Sequence, residues 1–254
     1  EIPDPQVLDL WLTVNGEKKQ GSNTRHMLFK VPFLISDISA GITLEPGDII
    51  ATGTPAGVGA ERYDWYIRHV RMIPLSSAEM LTLAEREHER MTAALAIVRH
   101  RNRRLPQLEL SASAQEQQEK VRRTDQLVRE FLVAEDIITI PDFVGELGSN
   151  TPWIERPTGP NFWEQIQFRD PIPDHLHAVI PGHRFDAVLG ERDTRPIRGR
   201  YSDGARAEGW ATYLEEALML AGATQHTPRA DEFMELFGIF RAARVPADIA
   251  MQHN

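Results

Sequence analysis

Two histidines and one glutamate in this chain have the types and the spacing of a metal site. His177 and His183 lie six residues apart, with Pro181-Gly182 between them, and Glu208 follows at the start of a strong helical pattern. Zinc sites with three protein ligands use His and carboxylate side chains. The chain has no cysteine, so a metal site must use His, Asp or Glu. His177, His183 and Glu208 are therefore candidate ligands for a metal ion, most simply zinc. The alternative is that the histidines are ordinary polar loop residues and that Glu208 is an acid favoured by the helix dipole.

A hydrolytic metal site also needs a general base, and the residue after His177 is Ala178. Alanine cannot accept a proton, so another carboxylate would have to replace the base. The candidates within reach by sequence position are Asp174, Glu215 and Glu216. Two alternatives stay open: the protein binds metal or peptide without hydrolysing it, or it uses a different site.

The elements around these residues set their geometry. Pro181-Gly182 predicts the start of a short helix, Gly182 to Leu189, with His183 in its first turn. His177 must come from the segment entering that helix, because an uninterrupted helix puts positions six apart on different faces. Asp186 and Asp203 are candidate partners for the imidazole N–H groups.

The composition excludes several functional classes. The chain has 254 residues, is 41% hydrophobic and 26% charged, and carries a net charge of -9. This acidic balance argues against nucleic-acid binding and against an anionic membrane surface. No apolar run approaches the length of a transmembrane helix. We expect a cytoplasmic protein that acts on a peptide or small-molecule substrate, with oligomerisation possible.

The chain divides into two unlike halves, which predicts an α+β fold. Residues 1–59 are β-rich: Leu8 to Val14 is rich in strand formers, and Asn15-Gly16 is a strong hairpin signal. Residues 61–254 are mainly helical. We expect a short β-rich N-terminal fragment followed by a mainly α-helical domain, with the boundary at Gly59 or Ala60.

Helix signals in the second half are mostly clear. Ser76 to Glu79 and Ser113 to Glu116 have the spacing of capping boxes. Further helices are expected over about 205–221 and 228–243, the second capped by Thr227 with Pro228 in its first turn. The segment 141–173 is rich in Pro, Gly and aromatic residues and is predicted to be a long ordered loop. Its aromatic part and Tyr201 are candidates for lining a substrate cleft, and the alternative is that Trp153 and Trp163 anchor the core.

Three motifs in the first half resemble the fumarylacetoacetate hydrolase family. They are Val14-Asn-Gly-Glu17, Leu44-Glu-Pro-Gly-Asp48 and Gly53-Thr-Pro-Ala-Gly-Val-Gly59. Taken alone, the last is a glycine-rich loop that more often serves turn geometry than anion binding. The resemblance implies cleavage or decarboxylation of β-dicarbonyl acids with carboxylate-held Mg²⁺ or Mn²⁺. It assigns substrate contact to Thr54, whereas the family's metal ligands have no counterpart here.

The second half is similar to a bacterial family of zinc-dependent helical peptidases that carries only a domain-of-unknown-function label. The motifs are Tyr63-Asp-Trp-Tyr-Ile-Arg-His69, His177 to His183, and Glu208-Gly-Trp-Ala-Thr-Tyr-Leu-Glu215. That family's first signature is His-Glu-Ala-x-Pro-Gly-His. The resemblance implies that His177, His183 and Glu208 are zinc ligands, and the family's glutamate is replaced by Ala178.

Together these features lead us to expect a chimeric or truncated polypeptide. Its main predicted activity is metal-dependent hydrolysis of a peptide or amide bond by the second half. The first alternative is cleavage of a β-dicarbonyl acid by the first half, with Mg²⁺ or Mn²⁺. The second alternative is a catalytically silent binding protein or a non-functional fusion, which Ala178 favours.

Overall fold

The computed structural model describes residues 2–27, 29–39, 59–149, 151–157, 159–195, 197 and 203–253. Within these ranges the fold is a small antiparallel sheet followed by helices, so the predicted α+β class is confirmed. The strands are β1 (Asp9–Val14) and β2 (Glu17–Asn23). The helices are α1 (Val31–Ser39), α2 (Ala60–His69), α3 (Ser77–Arg101), α4 (Ala114–Ala134), α5 (Phe162–Gln167), α6 (Ile172–Asp174), α7 (His183–Glu191), α8 (Gly204–Ala221) and α9 (Ala230–His253).

The chain forms two compact units. The first comprises Glu1–Ala84 together with Arg244–Asn254, and the second comprises Glu85–Ala243. Helices α3 and α9 each contribute residues to both units. None of the helices in the described ranges is long and apolar enough to cross a membrane.

The first unit begins with the hairpin that Asn15-Gly16 predicts. Strands β1 and β2 are antiparallel, with Val14 opposite Glu17. Both turn residues have positive φ, 51° at Asn15 and 82° at Gly16, as the tight turns that match strand twist require. The consecutive strand residues Leu10, Trp11 and Leu12 are all exposed, so neither face of this hairpin is covered by the described residues.

A small apolar cluster holds the helical part of the first unit together. It is formed by Tyr63 and Ile67 of α2 with Ile249 of α9. The hydroxyl of Tyr63 donates a hydrogen bond to Oδ2 of Asp248 at 3.0 Å. Burial and the neighbouring Asp248 carboxylate raise the pKa of Tyr63 to about 12, so this phenol stays a neutral hydrogen-bond donor at physiological pH.

Both predicted capping residues start their helices. The backbone N–H of Glu79 donates to Oγ of Ser76 at 3.3 Å, and the backbone N–H of Ser76 donates to Oε2 of Glu79 at 2.7 Å. At α4, Oγ of Ser113 accepts from the backbone N–H of Glu116 at 3.2 Å. Each cap satisfies backbone groups that have no partner inside the helix.

The loop predicted over 141–173 is wrong at two places, because it contains the short helices α5 and α6. Asn161 and Glu164 form a reciprocal capping box at the start of α5. Glu164 is almost completely buried and also accepts from the guanidinium of Arg156 at 2.9 Å. A helix of six residues is too short to show a hydrophobic period, so in the sequence only its capping residues can indicate it.

The last helix differs from its prediction at both ends. Helix α9 begins at Ala230 and continues to His253, with Pro246 inside it. The Thr227 hydroxyl donates to Asp170 rather than capping the helix. Asp170 is buried. Its hydrogen bond with Thr227 joins residues far apart in the chain, so the local sequence around Thr227 cannot reveal it.

The second unit has the larger core. Helices α4, α6, α7, α8 and α9 contribute to it, and its fully or nearly fully buried residues include Val128, Leu132, Ile172, Leu176, Ile180, Phe185, Leu214, Leu218 and Met234. Apolar residues on α8 and α9 recur at helical spacing, so each helix turns one face to this core.

Removing core volume should destabilise the protein, whereas trimming the adjacent surface should not. Leu132 on α4 has no exposed area, and the next residue, Val133, is 64% exposed. We expect Leu132→Ala to lower the free energy of unfolding by about 2–5 kcal/mol, because the cavity it leaves cannot fully collapse. The control Val133→Ala should change it by less than about 0.5 kcal/mol. Urea denaturation measures both, and equal effects would contradict this core assignment.

Candidate metal centre

A close backbone approach brings His177 and His183 together. His177 lies in a π-helical segment, His175–Val179, and the chain then passes through a cis Ile180–Pro181 peptide to Gly182. A Cβ atom on Gly182 would lie 1.7 Å from the carbonyl oxygen of His177, so only glycine fits there. Helix α7 starts immediately afterwards with His183, close to the predicted short helix.

The side chains of His177, His183 and Glu208 converge on one point. The two imidazole Nε2 atoms are 3.1 Å apart. The Glu208 carboxylate lies 3.6 Å from Nε2 of His177 and 3.4 Å from Nε2 of His183. Ligands about 2.0–2.1 Å from a tetrahedral zinc ion are about 3.3–3.4 Å from each other. The donor set and its spacing therefore fit zinc.

The three donors differ in their exposure to solvent. The exposed fractions of the side chains are 13% for His177, 30% for His183 and 67% for Glu208. The cluster is thus buried on the His177 side and open on the Glu208 side. The indole N–H of Trp210 donates to the carbonyl oxygen of Pro181 at 3.0 Å and ties the first turns of α8 to the loop between the histidines.

A buried carboxylate holds the far side of the His177 ring. Nδ1 of His177 is 2.8 Å from Oε1 of Glu215. Glu215 is 4% exposed, and its carboxylate accepts two hydrogen bonds from the guanidinium of Arg241. A carboxylate behind a histidine ligand fixes the ring orientation and makes the other ring nitrogen a better donor to a metal.

Helical spacing explains why Glu215 faces the same site as Glu208. The two residues are seven positions apart on α8, so they lie on one face of the helix. Arg241 was missed by sequence reasoning. It comes from α9, 64 residues after His177, and no local motif marks it.

The three candidate bases lie in different places. Glu215 contacts Nδ1 of His177 rather than the Nε2 atoms that face Glu208. Glu216 forms a two-point ion pair with Arg90, at 2.6 and 2.8 Å. Asp174 accepts a hydrogen bond from Nε2 of Gln167. Among the described residues, the cluster of donor atoms contains His177, His183 and Glu208 alone.

The remaining predicted site residues are placed as follows. Asp186 accepts from the guanidinium of Arg206 at 3.2 Å, and Asp203 caps α8 by accepting from the backbone N–H of Arg206 at 2.8 Å. The imidazole partner in the structure is Glu215, not the predicted Asp186 or Asp203. The predicted substrate-contacting residues Thr54 and Tyr201 lie outside the described residues.

A second polar group, not predicted from the sequence, lies two residues before His177. Nε2 of the buried His175 is 2.9 Å from Oδ1 of Asp125, and Arg129 donates to the other oxygen of Asp125 at 2.7 Å. Burial raises the pKa of Asp125, but hydrogen bonds from His175 and Arg129 outweigh it and lower the pKa. His175 and Asp125 line a cavity of about 710 Å³ that is bounded by α4 and by residues 146–149 and 151–153, apart from the three-donor cluster.

Comparisons with known proteins address the N-terminal part of the chain. Residues 1–101 match the family model "Fumarylacetoacetate (FAA) hydrolase C-terminal". The predicted resemblance of the first part to this family is confirmed, and the match continues to the last residue of α3. The resemblance of residues 61–254 to a zinc-peptidase family stays a prediction.

Curated relatives share a short, highly similar stretch with this chain. A protein of Burkholderia multivorans that is named as a hydrolase is 59% identical over 59 residues, covering 23% of this chain and 21% of that protein. Oxaloacetate tautomerase FAHD1, mitochondrial, of Rattus norvegicus is 58% identical over 60 residues, covering 24% and 27%. The chain therefore spans about a quarter, or less, of the length of these two relatives. No solved structure matches the chain.

The close approach at Gly182 generates a test of the metal centre's framework. We expect Gly182→Ala to lower the free energy of unfolding by at least about 1–3 kcal/mol, because the new methyl group overlaps the backbone of His177. The matched control is Gly190→Ala on α7, where an added Cβ has nothing within 4 Å. That substitution should stabilise the helix by about 0.5–1 kcal/mol. Denaturation curves measure both, and similar shifts in the two variants would refute this role of Gly182.

Proposed function

We propose that this chain binds one zinc ion through His177, His183 and Glu208 and acts as a metal-dependent hydrolase of peptide or amide bonds. The observation that carries the proposal is the convergence of three donor atoms at 3.1–3.6 Å. The carboxylate of Glu215 behind His177 supports it, because structural carboxylate–imidazole pairs are typical of histidine ligands.

Each side chain has a distinct task in this proposal. A bound zinc ion supplies a Lewis acid that polarises the scissile carbonyl group. Glu215 and Arg241 keep His177 in one orientation, and the open side next to Glu208 admits substrate. Ala178 offers no proton acceptor, and general-base catalysis contributes about 10²–10⁴-fold in rate. We therefore expect slow hydrolysis, and Ala178 equally favours a protein that binds its ligand without cleaving it.

Zinc content tests the proposed ligands. We expect purified protein to hold about one zinc ion per chain and His183→Ala to lose it, because two protein ligands hold zinc far more weakly than three. His226→Ala, at an exposed histidine before α9, is the matched control and should keep the metal. Metal analysis by mass spectrometry gives the answer, and wild-type protein without zinc after incubation with it would end this proposal.

The positioning role of Glu215 has its own test. Glu215→Gln should weaken zinc binding by about 10–100-fold, because a neutral amide holds the imidazole in place less firmly. Glu191→Gln, at an exposed glutamate at the end of α7, should leave the affinity unchanged. Competition with a chromophoric chelator measures both. An unchanged affinity in Glu215→Gln would show that this carboxylate serves folding alone.

A second candidate function is favoured by the comparisons more than zinc hydrolysis is. The family match over residues 1–101 and the relatives named as a hydrolase and as an oxaloacetate tautomerase support chemistry on a β-dicarbonyl acid. Such chemistry would use Mg²⁺ or Mn²⁺, and resemblance assigns Thr54 to the substrate. Because the chain covers about a quarter or less of these relatives' lengths, the activity of a whole relative is a proposal here.

The two candidates respond oppositely to two substitutions. If the chain acts on a β-dicarbonyl acid, the protein with Mg²⁺ should change the absorbance of the enol form of oxaloacetate. Thr54→Val should slow that change by about tenfold, because one hydrogen bond to the substrate is lost. His183→Ala should leave this rate unaltered. A rate that depends on His183 but not on Thr54 would reject the β-dicarbonyl candidate.

A further inference from the structure

Three helices of the second unit meet at a group of charged side chains around Arg90. The guanidinium of Arg90 on α3 forms two-point ion pairs with Glu87, one turn before it, and with Glu216 on α8. Glu235 on α9 adds a third carboxyl group, and Asp231 lies one turn before Glu235. The hydrogen bonds of Arg90 are therefore divided between two acids, Glu87 and Glu216.

Glu235 is the unusual member of this group. It is only 6% exposed, and its Oε2 atom has no hydrogen-bond partner among the described residues. Burial, and then the negative charge of Glu216, raise the pKa of Glu235 to about 7, with Arg90 acting in the opposite direction and Asp231 and Glu87 adding to the increase. A buried carboxyl group without a full set of partners resists ionisation.

The same two helices carry the residues behind the metal donors. Glu215 precedes Glu216 on α8, and Arg241 follows Glu235 on α9 by six positions. The bond between Glu215 and Arg241 therefore bridges the same two helices that the pair Glu216 and Glu235 would push apart when both are charged. A shift between α8 and α9 would move Arg241 relative to the Glu215 carboxylate that contacts His177.

We propose that Glu235 is a proton-controlled lock between α8 and α9, which holds Glu215 and Arg241 behind His177 while Glu235 is neutral and weakens zinc binding once Glu235 ionises. This inference rests on the zinc binding proposed above. The ionised form places a further negative charge near Glu216, Asp231 and Glu87. The nearby cation, Arg90, is already engaged by Glu216 and Glu87. Charge repulsion at a largely buried site is poorly screened by solvent.

The effect on stability has a defined sign. The pKa of Glu235 is about 7 in the folded chain against 4.5 ordinarily, so the folded state holds this proton more tightly than the unfolded state. The stabilising contribution is complete below pH 4.5, declines as the pH rises, and is lost above about 7. In Glu235→Gln this contribution is absent, so between pH 5 and pH 8 the unfolding equilibrium constant should vary less than in wild type, by up to about 70-fold.

The decisive experiment compares zinc affinity at pH 6.0 and pH 8.5 by chelator competition. Protonation of the histidine ligands affects all variants alike, so the ratio of wild-type to Glu235→Gln dissociation constants isolates Glu235. We expect this ratio to be near one at pH 6.0 and to rise at least about threefold at pH 8.5. Glu235→Met serves as a second neutral variant if the glutamine variant folds poorly. Glu89→Gln, at an exposed acid on α3, should give a ratio near one at both pH values.

Two outcomes would overturn the inference in distinguishable ways. A wild-type protein that binds no zinc at either pH rejects the proposed function and this inference with it. The inference alone is rejected if the wild-type protein binds zinc but the ratio of dissociation constants is the same at both pH values. In that case the unfolding equilibrium of Glu235→Gln would still depend less on pH, as described above. Support requires that Arg241→Met removes the dependence of the ratio on Glu235, because the effect must pass through Glu215.

Discussion

The arrangement of the metal centre depends on the contact between the backbone of Gly182 and the carbonyl group of His177. A side chain at position 182 would overlap that carbonyl group, so the chain turns back on itself only because this residue has none. The turn places the imidazole at the end of the π-helical segment against the imidazole that opens α7. Without this reversal, two histidines six residues apart would face different directions.

The buried carboxyl groups of the second unit differ in the charged groups that surround them. Glu164 and Glu215 are nearly inaccessible, and each is held by an arginine. Glu235 is as inaccessible, but its neighbours are mostly acids. Burial of a carboxylate is tolerated when a cation and hydrogen bonds compensate for lost hydration, and otherwise the neutral form is favoured. An arginine therefore compensates each of the first two carboxylates, whereas burial and neighbouring acids raise the pKa of Glu235 to about 7.

Local chemistry explains which parts of this structure could be predicted from the sequence. The hairpin at Asn15-Gly16 and the caps at Ser76 and Ser113 were predictable, because the interacting groups lie within four residues of each other. The convergence of His177, His183 and Glu208 followed from motif spacing, although their role as ligands stays a prediction. Arg241 could not be predicted, because helix packing rather than sequence proximity brings it to Glu215.

The same distinction applies to the errors. Helix α5 is stabilised by one capping box and by the ion pair between the buried Glu164 and Arg156. The strength of that ion pair depends on the surrounding core, which the local sequence does not show. Asp186 and Asp203 have the right residue type and position for histidine partners. Both acids accept hydrogen bonds from Arg206 instead, Asp186 from its guanidinium and Asp203 from its backbone N–H. Which of several donors an acid binds depends on the three-dimensional fold.

The unequal burial of the three donors has a kinetic consequence. His177 is enclosed and braced, His183 is partly open, and Glu208 is mostly in solvent on a flexible side chain. A metal ion bound at this site would exchange with solvent by first losing its contact with Glu208. Releasing the buried His177 ring instead would require the surrounding core to move. The lifetime of the bound ion would then be governed by the opening of one glutamate, while its affinity is governed by the two rings.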